Sequence, residues 1–361
     1  MKLPQEHFHA SEGSGASLKV SHTLSMLRGL SLRSFQKSCH CRQFSVAPQN
    51  VTTATAFGDT LNLVPVAPSK VSRDKMEALT DFVSKKKHLI AITGAGLSTE
   101  SGIPDYRSPN GSYSKGHKPT TYTEFVRSDS LRKRYWARNM AAWKEFSSHQ
   151  PNVGHKVIAS MEKEGRIKHL ITQNVDRLHL RAGSQHVTEL HGNTHEVACL
   201  SCGYKVDRPQ FQNILKDANP DWNPIVTEEP LREPNPNINS PDKIRYYSDK
   251  SRQRADGDVD LGNVDYSKFN VPCCPNCREG IMKPCVVFFG ESVPTEKVKY
   301  SMDMVSKVYS VYRFIHHAMH HDIPVAIVNI GPTRGDEAAA LKIEGQVGPV
   351  LSELHDMLNK T

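Results

Sequence analysis

This chain of 361 residues has no long apolar run, few cysteines and almost no acidic residues near its N-terminus. No apolar stretch approaches the roughly 20 residues that cross a bilayer, which predicts a soluble protein without a membrane partner. The rest of the composition is ordinary for a globular protein, with 37% hydrophobic residues. The length allows two domains with a buried core.

Acidic residues are absent from residues 13–58. Residues 26–37 are basic and rich in serine, with interspersed leucine and phenylalanine, a pattern typical of a mitochondrial transit peptide. We therefore expect residues 1–57 to be a transit peptide and disordered lead, residues 58–70 to be a linker, and the protein to reside in the mitochondrial matrix. The alternatives are a merely disordered tail and a start at Met26.

The positive charge of the chain does not indicate a nucleic-acid partner. The formal net charge is +8, but residues 1–58 hold six Lys or Arg against two Asp or Glu, so the rest of the chain carries only +4. A nucleic-acid-binding zinc ribbon would also need a basic, aromatic-studded face around its cysteines. Residues 197–280 carry proline, asparagine and mixed charge instead.

The eight cysteines are spaced as metal ligands and not as a disulfide framework. Two Cys-x-x-Cys pairs supply the four thiolates of a closed tetrahedral site, which predicts one structural Zn²⁺ and a reducing compartment. Cys273 is adjacent to Cys274, but only Cys274 has the two-residue spacing to Cys277. A metal-free cluster of reduced thiols is the alternative. The predicted zinc ligands are Cys199, Cys202, Cys274 and Cys277.

Short apolar runs alternate with helical patterns, which predicts an α/β fold with a Rossmann-like parallel sheet and an inserted small zinc-binding domain. We expect residues 71–196 and 281–361 to form the first part and residues 197–280 the second, with a flexible insertion at about 219–257. Ser72 is the expected N-cap of a first helix, and residues 124–143 are expected to be helical. The expected strands are residues 89–93, 167–172, 186–190, 285–289 and 323–330.

A small-residue turn follows the first expected strand. Gly94, Ala95 and Gly96 let backbone N–H groups approach a phosphate closely, although the third glycine of the usual dinucleotide fingerprint is displaced to Gly102. Alone, this turn is weak support for a nucleotide site. Polar residues also follow the other expected strands, at the sheet edge where open α/β sheets bind ligands.

Four blocks in one order carry a resemblance to a known family: residues 91–107, Thr172-Gln173-Asn174-Val175-Asp176, Glu189-Leu190-His191-Gly192 and Asn329-Ile330-Gly331-Pro332-Thr333. Over about residues 70–350 the chain resembles the sirtuins, which are NAD-dependent protein deacylases. Tyr106, residues 134–139 and residues 146–151 look most like class II, the mitochondrial sirtuin four group.

The resemblance implies specific roles for these residues. His191 would be the general base toward a ribose hydroxyl, and Asn174 and Asp176 would contact the ribose and nicotinamide. Without the other motifs, His191 would more often be structural and residues 173–176 a capped turn. The implied NAD contacts are Gly94, Ala95, Gly96, Ser98, Thr99, Pro104, Asp105, Tyr106, Arg107, Gln173, Asn174, Val175, Asp176, Asn329, Ile330, Gly331 and Val347.

The resemblance also implies the reaction. The acyl-lysine carbonyl oxygen would attack C1′ of the nicotinamide ribose, nicotinamide would leave, and lysine and O-acyl-ADP-ribose would form, with NAD consumed as a co-substrate. Class II members suggest lipoyl or other non-acetyl acyl-lysines of mitochondrial enzymes as substrates. Mono-ADP-ribosyl transfer to proteins is the alternative enzyme activity. The histidines at 316, 317, 320 and 321 are interpreted as a solvated helix face.

One departure from the family pattern is large. After Lys307, about a dozen residues that would form an apolar strand and an NAD-contacting loop are missing. Loss of a central parallel strand would leave backbone donors and acceptors unpaired on both neighbours. Cys285 also replaces a usual acidic residue. These departures favour a further alternative, a catalytically impaired variant that binds NAD or a partner.

Overall fold

The computed structural model describes residues 70–86, 88–109, 111–225, 253–261, 264–292 and 312–360. The predicted transit peptide, nearly all of the linker, most of the 219–257 insertion and the predicted deletion after Lys307 lie outside these ranges. In the part of the chain that is described, no helix is long and apolar enough to cross a membrane.

The described strands, in chain order, are β1 (Leu89–Thr93), β2 (Ile167–Thr172), β3 (Val187–Glu189), β4 (Gly192–Cys199), β5 (Lys205–Asp207), β6 (Met282–Val286), β7 (Ala326–Asn329) and β8 (Leu341–Glu344). The helices are α1 (Arg73–Ser84), α2 (Ala95–Ser98), α3 (Tyr122–Arg127), α4 (Asp129–Ser148), α5 (Val153–Lys163), α6 (Leu178–Ala182), α7 (Arg208–Ala218), α8 (Tyr312–His320) and α9 (Val347–Leu358). Short 3₁₀ helices cover Thr99–Ser101, Pro220–Ile225 and Asp336–Ala338.

The Rossmann-like half has parallel strands packed against helices. Strands β1, β2 and β3 form a parallel sheet in that order, with Ile92 opposite Ile171. The first two strands have the bounds that the sequence predicts, and the third is shorter than residues 186–190. Helices α1, α5 and α9 share one core with this sheet and with β8, in which Met76, Leu170 and Ile343 are fully buried.

A second parallel pair, β7 and β8, is separate from the first sheet among the described residues. Strand β7 is shorter than the predicted residues 323–330. The side of β1 that faces away from β2 has no strand partner in the described ranges, and Ile90 and Ile92 are 44% and 37% exposed. The predicted single parallel sheet is therefore present as two parallel pieces.

The zinc-bearing half is built on an antiparallel sheet in the order β5–β4–β6. The prediction of residues 285–289 as a strand of the parallel sheet is wrong. The strand covers Met282–Val286 and pairs antiparallel with β4, while Val287 and Phe288 lie beyond its end. A run of apolar residues indicates that a segment is buried, but it does not indicate which strand the segment pairs with. The prediction was wrong for this reason.

The helix predicted at residues 124–143 is two helices. Ser128 ends α3 with an extended backbone (φ −111°, ψ 114°), and its Oγ accepts a hydrogen bond from the Leu131 N–H to cap α4. Ser72 stands at the N-cap position of α1, but its side chain makes no capping bond. Trp136 of α4 anchors the second core, where its Nε1 donates to the Met282 carbonyl at 3.1 Å.

Candidate active site

The candidate site is a cavity of about 1470 Å³ at the carboxyl ends of the parallel strands. This volume exceeds the roughly 300–1,000 Å³ of ordinary ligand pockets, because the cavity continues between β1 and β7. Of the implied site residues, those on its wall are Gly94, Ala95, Gly96, Ser98, Asp105, Tyr106, Arg107, Gln173, Asn174, Val175, Asp176, His191, Asn329 and Val347. Those not on its wall are Thr99, Pro104, Ile330 and Gly331.

Ser98 joins two of the candidate catalytic residues. Its Oγ donates to Oδ2 of Asp176 at 2.6 Å and accepts from Nδ2 of Asn174 at 3.1 Å. Asn174 also donates to the Gly94 carbonyl at 3.1 Å, which fixes the end of β2 against the turn after β1. All three side chains are buried. Burial raises the pKa of Asp176, although bonds from Ser98 and the Leu178 N–H oppose that shift.

His191 follows β3 and is half-buried on the cavity wall. Burial lowers its pKa, and a hydrogen bond with the backbone of Gln173 offsets part of that shift. Its own carbonyl accepts from the Val287 N–H at 2.8 Å, so the backbone on both sides is held. A neutral imidazole in this position is able to accept a proton at physiological pH.

The loop after Ile103 folds around the Asp105 side chain. The Asp105 Oδ1 accepts from the N–H groups of Arg107 and Ser108 at 3.1 and 2.9 Å. The ring of Tyr106 packs on Tyr113, with the centroids 5.3 Å apart. The loop therefore has a defined conformation, in which Asp105, Tyr106 and Arg107 reach the cavity.

The end of β7 and the start of α9 form another part of the cavity wall. The Asn329 Nδ2 donates to the carbonyls of Ile330 and Gly331 at 2.7 and 3.1 Å, so this side chain orders its own turn. The Glu100 carboxylate accepts from the Gly348 N–H at 2.9 Å, which ties the turn after α2 to the first turn of α9.

The four predicted zinc ligands converge, with all four Sγ atoms within 4.8 Å of one another. The Sγ atoms of Cys199 and Cys277, and those of Cys202 and Cys274, lie 3.7 Å apart. A tetrahedron with Zn–S bonds of about 2.3 Å has S–S edges of about 3.8 Å, so the residues fit a structural zinc ion.

The surroundings of these cysteines favour thiolates at one edge of the cluster. N–H groups of Cys202 and Ser201 donate to the Cys199 Sγ and lower its pKa, and Asn276 lowers the pKa of Cys202 to about 6. Gly280 packs so closely on the Cys199 Sγ that a Cβ would overlap it. The cluster thus has the shape and the charge preference of a metal site.

Among the described residues, the other histidines form no cluster of three or more candidate metal ligands. His316 and His320 on α8 have ring centroids 4.4 Å apart and are exposed, and they belong to the predicted solvated face. Within the described ranges, the cysteine cluster is the one group of three or more candidate ligands. His195, four residues after His191, packs on Trp143 with the centroids 5.1 Å apart.

Several wall residues were not among the predicted site residues. Phe288, Tyr135, His117 and a turn at residues 254–258 line the cavity. The apolar run that contains Phe288 was a detectable signal. The turn lies in a polar insertion, and only its position in the fold brings it to the cavity.

Comparison with known proteins gives a consistent match. Residues 94–312 match the model of the Sir2 family. A Drosophila melanogaster NAD-dependent protein deacylase Sirt4 is 41% identical over 80% of this chain and 89% of its own length. The Arabidopsis thaliana NAD-dependent protein deacylase SRT2 is 42% identical over 82% of this chain and 79% of its own length. The human NAD-dependent protein lipoamidase sirtuin-4, mitochondrial, is 40% identical over 80% of this chain and 88% of its own length.

Solved structures agree with the sequence matches. A structure of a Sir2 enzyme superposes with a TM-score of 0.55 at 25% identity, over 80% of this chain and 99% of that one. A Sir2 structure with a deacetylated p53 peptide and 3′-O-acetyl ADP ribose superposes with a TM-score of 0.56 at 26% identity, over 78% and 98%.

Proposed function

We propose that this chain, which belongs to the Sir2 family, is a NAD-dependent protein deacylase that acts on lipoyl or other non-acetyl acyl-lysines of mitochondrial enzymes. Membership of the family establishes the fold and the NAD-dependent deacylase reaction, with NAD as a co-substrate and zinc as a structural ion. The acyl preference, the targets and the matrix location are the proposed part.

The observation that carries the function is the convergence of His191, Asn174 and Asp176 on one cavity wall. Each follows a parallel strand, and Ser98 ties the last two together from the turn after β1. Residues that stand far apart in the sequence therefore form one polar surface, at the sheet edge where such folds bind nucleotides.

The side chains suit the roles that we assign. The lowered pKa of His191 keeps its imidazole neutral and able to take a proton from a ribose hydroxyl. The Asn174 amide and the Asp176 carboxylate are fixed by buried hydrogen bonds and would orient the ribose and nicotinamide. Fixed polar groups of this kind bind without paying a further ordering cost.

The acyl preference and location are supported by the relatives. The human protein is named a lipoamidase and mitochondrial, and the Drosophila protein a Sirt4 deacylase. The basic N-terminal region, which has no Asp or Glu at residues 13–58, supports import, with residues 1–57 as the transit peptide. Import is tested by fusing residues 1–57 to a fluorescent protein, which should enter mitochondria, whereas the fusion with its arginines and lysines changed to glutamine should not.

Nicotinamide release tests the function directly. Zinc-loaded protein that begins at Val51 should release nicotinamide from NAD in the presence of lipoyl- or acetyl-lysine peptides, and faster with the lipoyl peptide. The matched control His191→Tyr should not release it. Equal rates with both peptides would contradict the acyl preference. An O-acyl-ADP-ribose product identifies deacylation, whereas ADP-ribose on protein identifies transfer.

A second candidate function is favoured by the finding that no strand joins β1 to β7 in the part of the chain that the structure describes. A chain with an open sheet would bind NAD or a partner but turn over weakly, as the missing residues after Lys307 predict. Saturable NAD binding without nicotinamide release from folded, zinc-loaded protein would support this reading.

A further inference from the structure

Four histidines stand together at the carboxyl end of α8. The solvated helix face that the sequence predicts accounts for their exposure but not for their spacing. Side chains four residues apart in a helix lie on one face, one turn above each other. The four histidines fall into two such pairs, which are His316 with His320 and His317 with His321.

The structure brings the two rings of each pair together. The ring centroids of His316 and His320 are 4.4 Å apart, and those of His317 and His321 are 4.1 Å apart. None of the hydrogen bonds or ion pairs among the described residues involves any of these four rings. Their nitrogens are therefore available to a ligand, and imidazole nitrogen is the commonest metal ligand in proteins.

The backbone that carries the histidines is fixed. On the inner side of α8, Ala318 is buried, and Ile315 packs so closely on Gly335 that a Cβ there would overlap it. At the end of the helix, the Ile323 N–H donates to the Ala318 carbonyl at 2.9 Å, and Asp322 has a left-handed backbone with φ +53°. This is the Schellman arrangement, which holds the last helical turn in place. The paired rings therefore project from a rigid support.

The protonation of one ring also favours a bound cation. Partial burial lowers the pKa of His317, and the neighbouring His321 and His320 lower it further. Its imidazole is therefore neutral at pH 7.5, and only the neutral ring has a nitrogen lone pair to offer a metal ion. Close packing of the rings thus opposes the charged form of His317 and leaves it ready to coordinate.

We propose that the two histidine pairs of α8 are two bidentate sites for divalent transition-metal ions that prefer imidazole, the class that includes Ni²⁺, Cu²⁺ and Zn²⁺. Each pair would supply two ligands, and water would complete the coordination. The pairs would hold separate ions, because in the described ranges only the cysteine cluster brings three or more candidate ligands together. These open sites differ from that closed cluster, and the inference does not depend on the proposed function.

Titration with Ni²⁺ tests the proposal. Isothermal titration calorimetry on the full, zinc-loaded chain without an affinity tag, at pH 7.5, should show two equivalents of Ni²⁺ beyond those bound when all four histidines are changed to glutamine. Elemental analysis should show that the structural zinc is retained. Loss of one ring of a pair removes the intramolecular second contact, so His316→Gln should weaken one site about tenfold or more.

Two double variants that each lack two histidines provide the matched comparison. His316→Gln/His320→Gln removes one complete pair and should retain one equivalent of Ni²⁺. His316→Gln/His321→Gln removes one ring from each pair and should retain neither. Rings that bind independently would give both variants the same loss.

Equal losses in the two double variants, each shown to be folded by its melting curve, would therefore overturn the proposal. So would the same Ni²⁺ binding by the natural chain and by the variant with four glutamines. A ligand that binds only the folded chain stabilises it, so Ni²⁺ should also raise the melting temperature of the natural chain more than that of the four-glutamine variant. Equal shifts in the two proteins would contradict binding at α8.

Discussion

His191 is half-buried, and its pKa is lowered by that burial, so its protonation should set the acid limb of the pH profile. A base works in its neutral form, and a lowered pKa keeps it neutral as the pH falls. We therefore expect kcat/KM for deacylation to fall with a midpoint below the ordinary histidine value of 6.5. His191→Gln should reduce kcat by about 10²-fold or more.

The matched control for His191 is His186, whose exposed ring is bonded to Glu162 at 3.0 Å. His186→Gln should leave both the rate and the profile unchanged. If both variants are folded and their rates agree within a factor of two, His191 is not a catalytic residue.

Gly192 holds the backbone directly after His191 in a conformation that only glycine adopts freely. Its φ is +73°, and a Cβ would overlap the Cys285 carbonyl oxygen, which is fixed backbone. Gly192→Ala should lower the free energy of unfolding by about 4 kcal/mol or more, because overlap adds to the left-handed backbone cost of about 1–2 kcal/mol. Urea titration measures the difference.

Gly116 allows the cost of the left-handed backbone to be measured separately from the cost of the overlap. Its φ of +79° is similar, but a Cβ there would have nothing within 4 Å. Gly116→Ala should therefore cost only the backbone contribution. Equal losses of stability in the two variants would show that the close approach of Gly192 to Cys285 does not contribute to the cost of the substitution.

The sequence predicts most of the candidate site at this scale, because its residues lie within short motifs that end strands. Gly94, Asn174 and His191 each follow a strand whose position is evident from an apolar run. The turn at residues 254–258 is different, because tertiary contacts such as the ion pair of Arg138 with Asp258 hold it in place. No local pattern records such a contact.

At the scale of elements, the zinc cluster makes a sharp prediction about two adjacent cysteines. Cys274 is buried, and its Sγ is 3.7 Å from that of Cys202, whereas Cys273 is exposed and outside the cluster. Burial raises the pKa of the Cys274 thiol to about 11, so a bound cation is needed to keep it a thiolate. Cys274→Ser should lose bound zinc and melt at a lower temperature.

Cys273→Ser is the control and should retain one equivalent of zinc by elemental analysis. Retention of a full equivalent in Cys274→Ser, with loss in Cys273→Ser, would reverse the assignment. Removal of zinc by a chelator should reproduce the lower melting temperature of Cys274→Ser in the natural chain.

The strands show why prediction from sequence succeeds in some elements and not in others. Leu89–Thr93 and Ile167–Thr172 are apolar, short and bounded by polar turns, so their bounds are evident. The run at residues 285–289 has the same composition, yet its apolar residues line a cavity and the pairing strand begins earlier, at Met282. The periodicity of apolar residues indicates which residues are buried, but it does not indicate which strand pairs with them.

At the scale of the whole molecule, β1 and β7 border one cavity, and no strand among the described residues lies between them. A parallel sheet is normally continuous and covered on both faces, and partly exposed isoleucines on β1 are the opposite of that arrangement. The sequence predicts a missing strand and loop after Lys307, a position outside the described residues. A strand between β1 and β7 would pair with both and would reduce the cavity to the volume of a ligand pocket.

Insertion of a dozen residues after Lys307, as an apolar β-branched strand followed by a small-residue turn, should therefore stabilise the protein and accelerate nicotinamide release. Each kcal/mol gained raises the melting temperature by about 2–4 °C in a domain of this size, so a rise of several degrees is expected. A Gly-Ser insertion of equal length is the control, because it supplies chain length without strand propensity or apolar side chains. Equal melting temperatures for the two insertions would mean that the space between β1 and β7 does not accept a strand. A rise in melting temperature without faster release would mean that the strand restores the sheet while the turn fails to complete the NAD site.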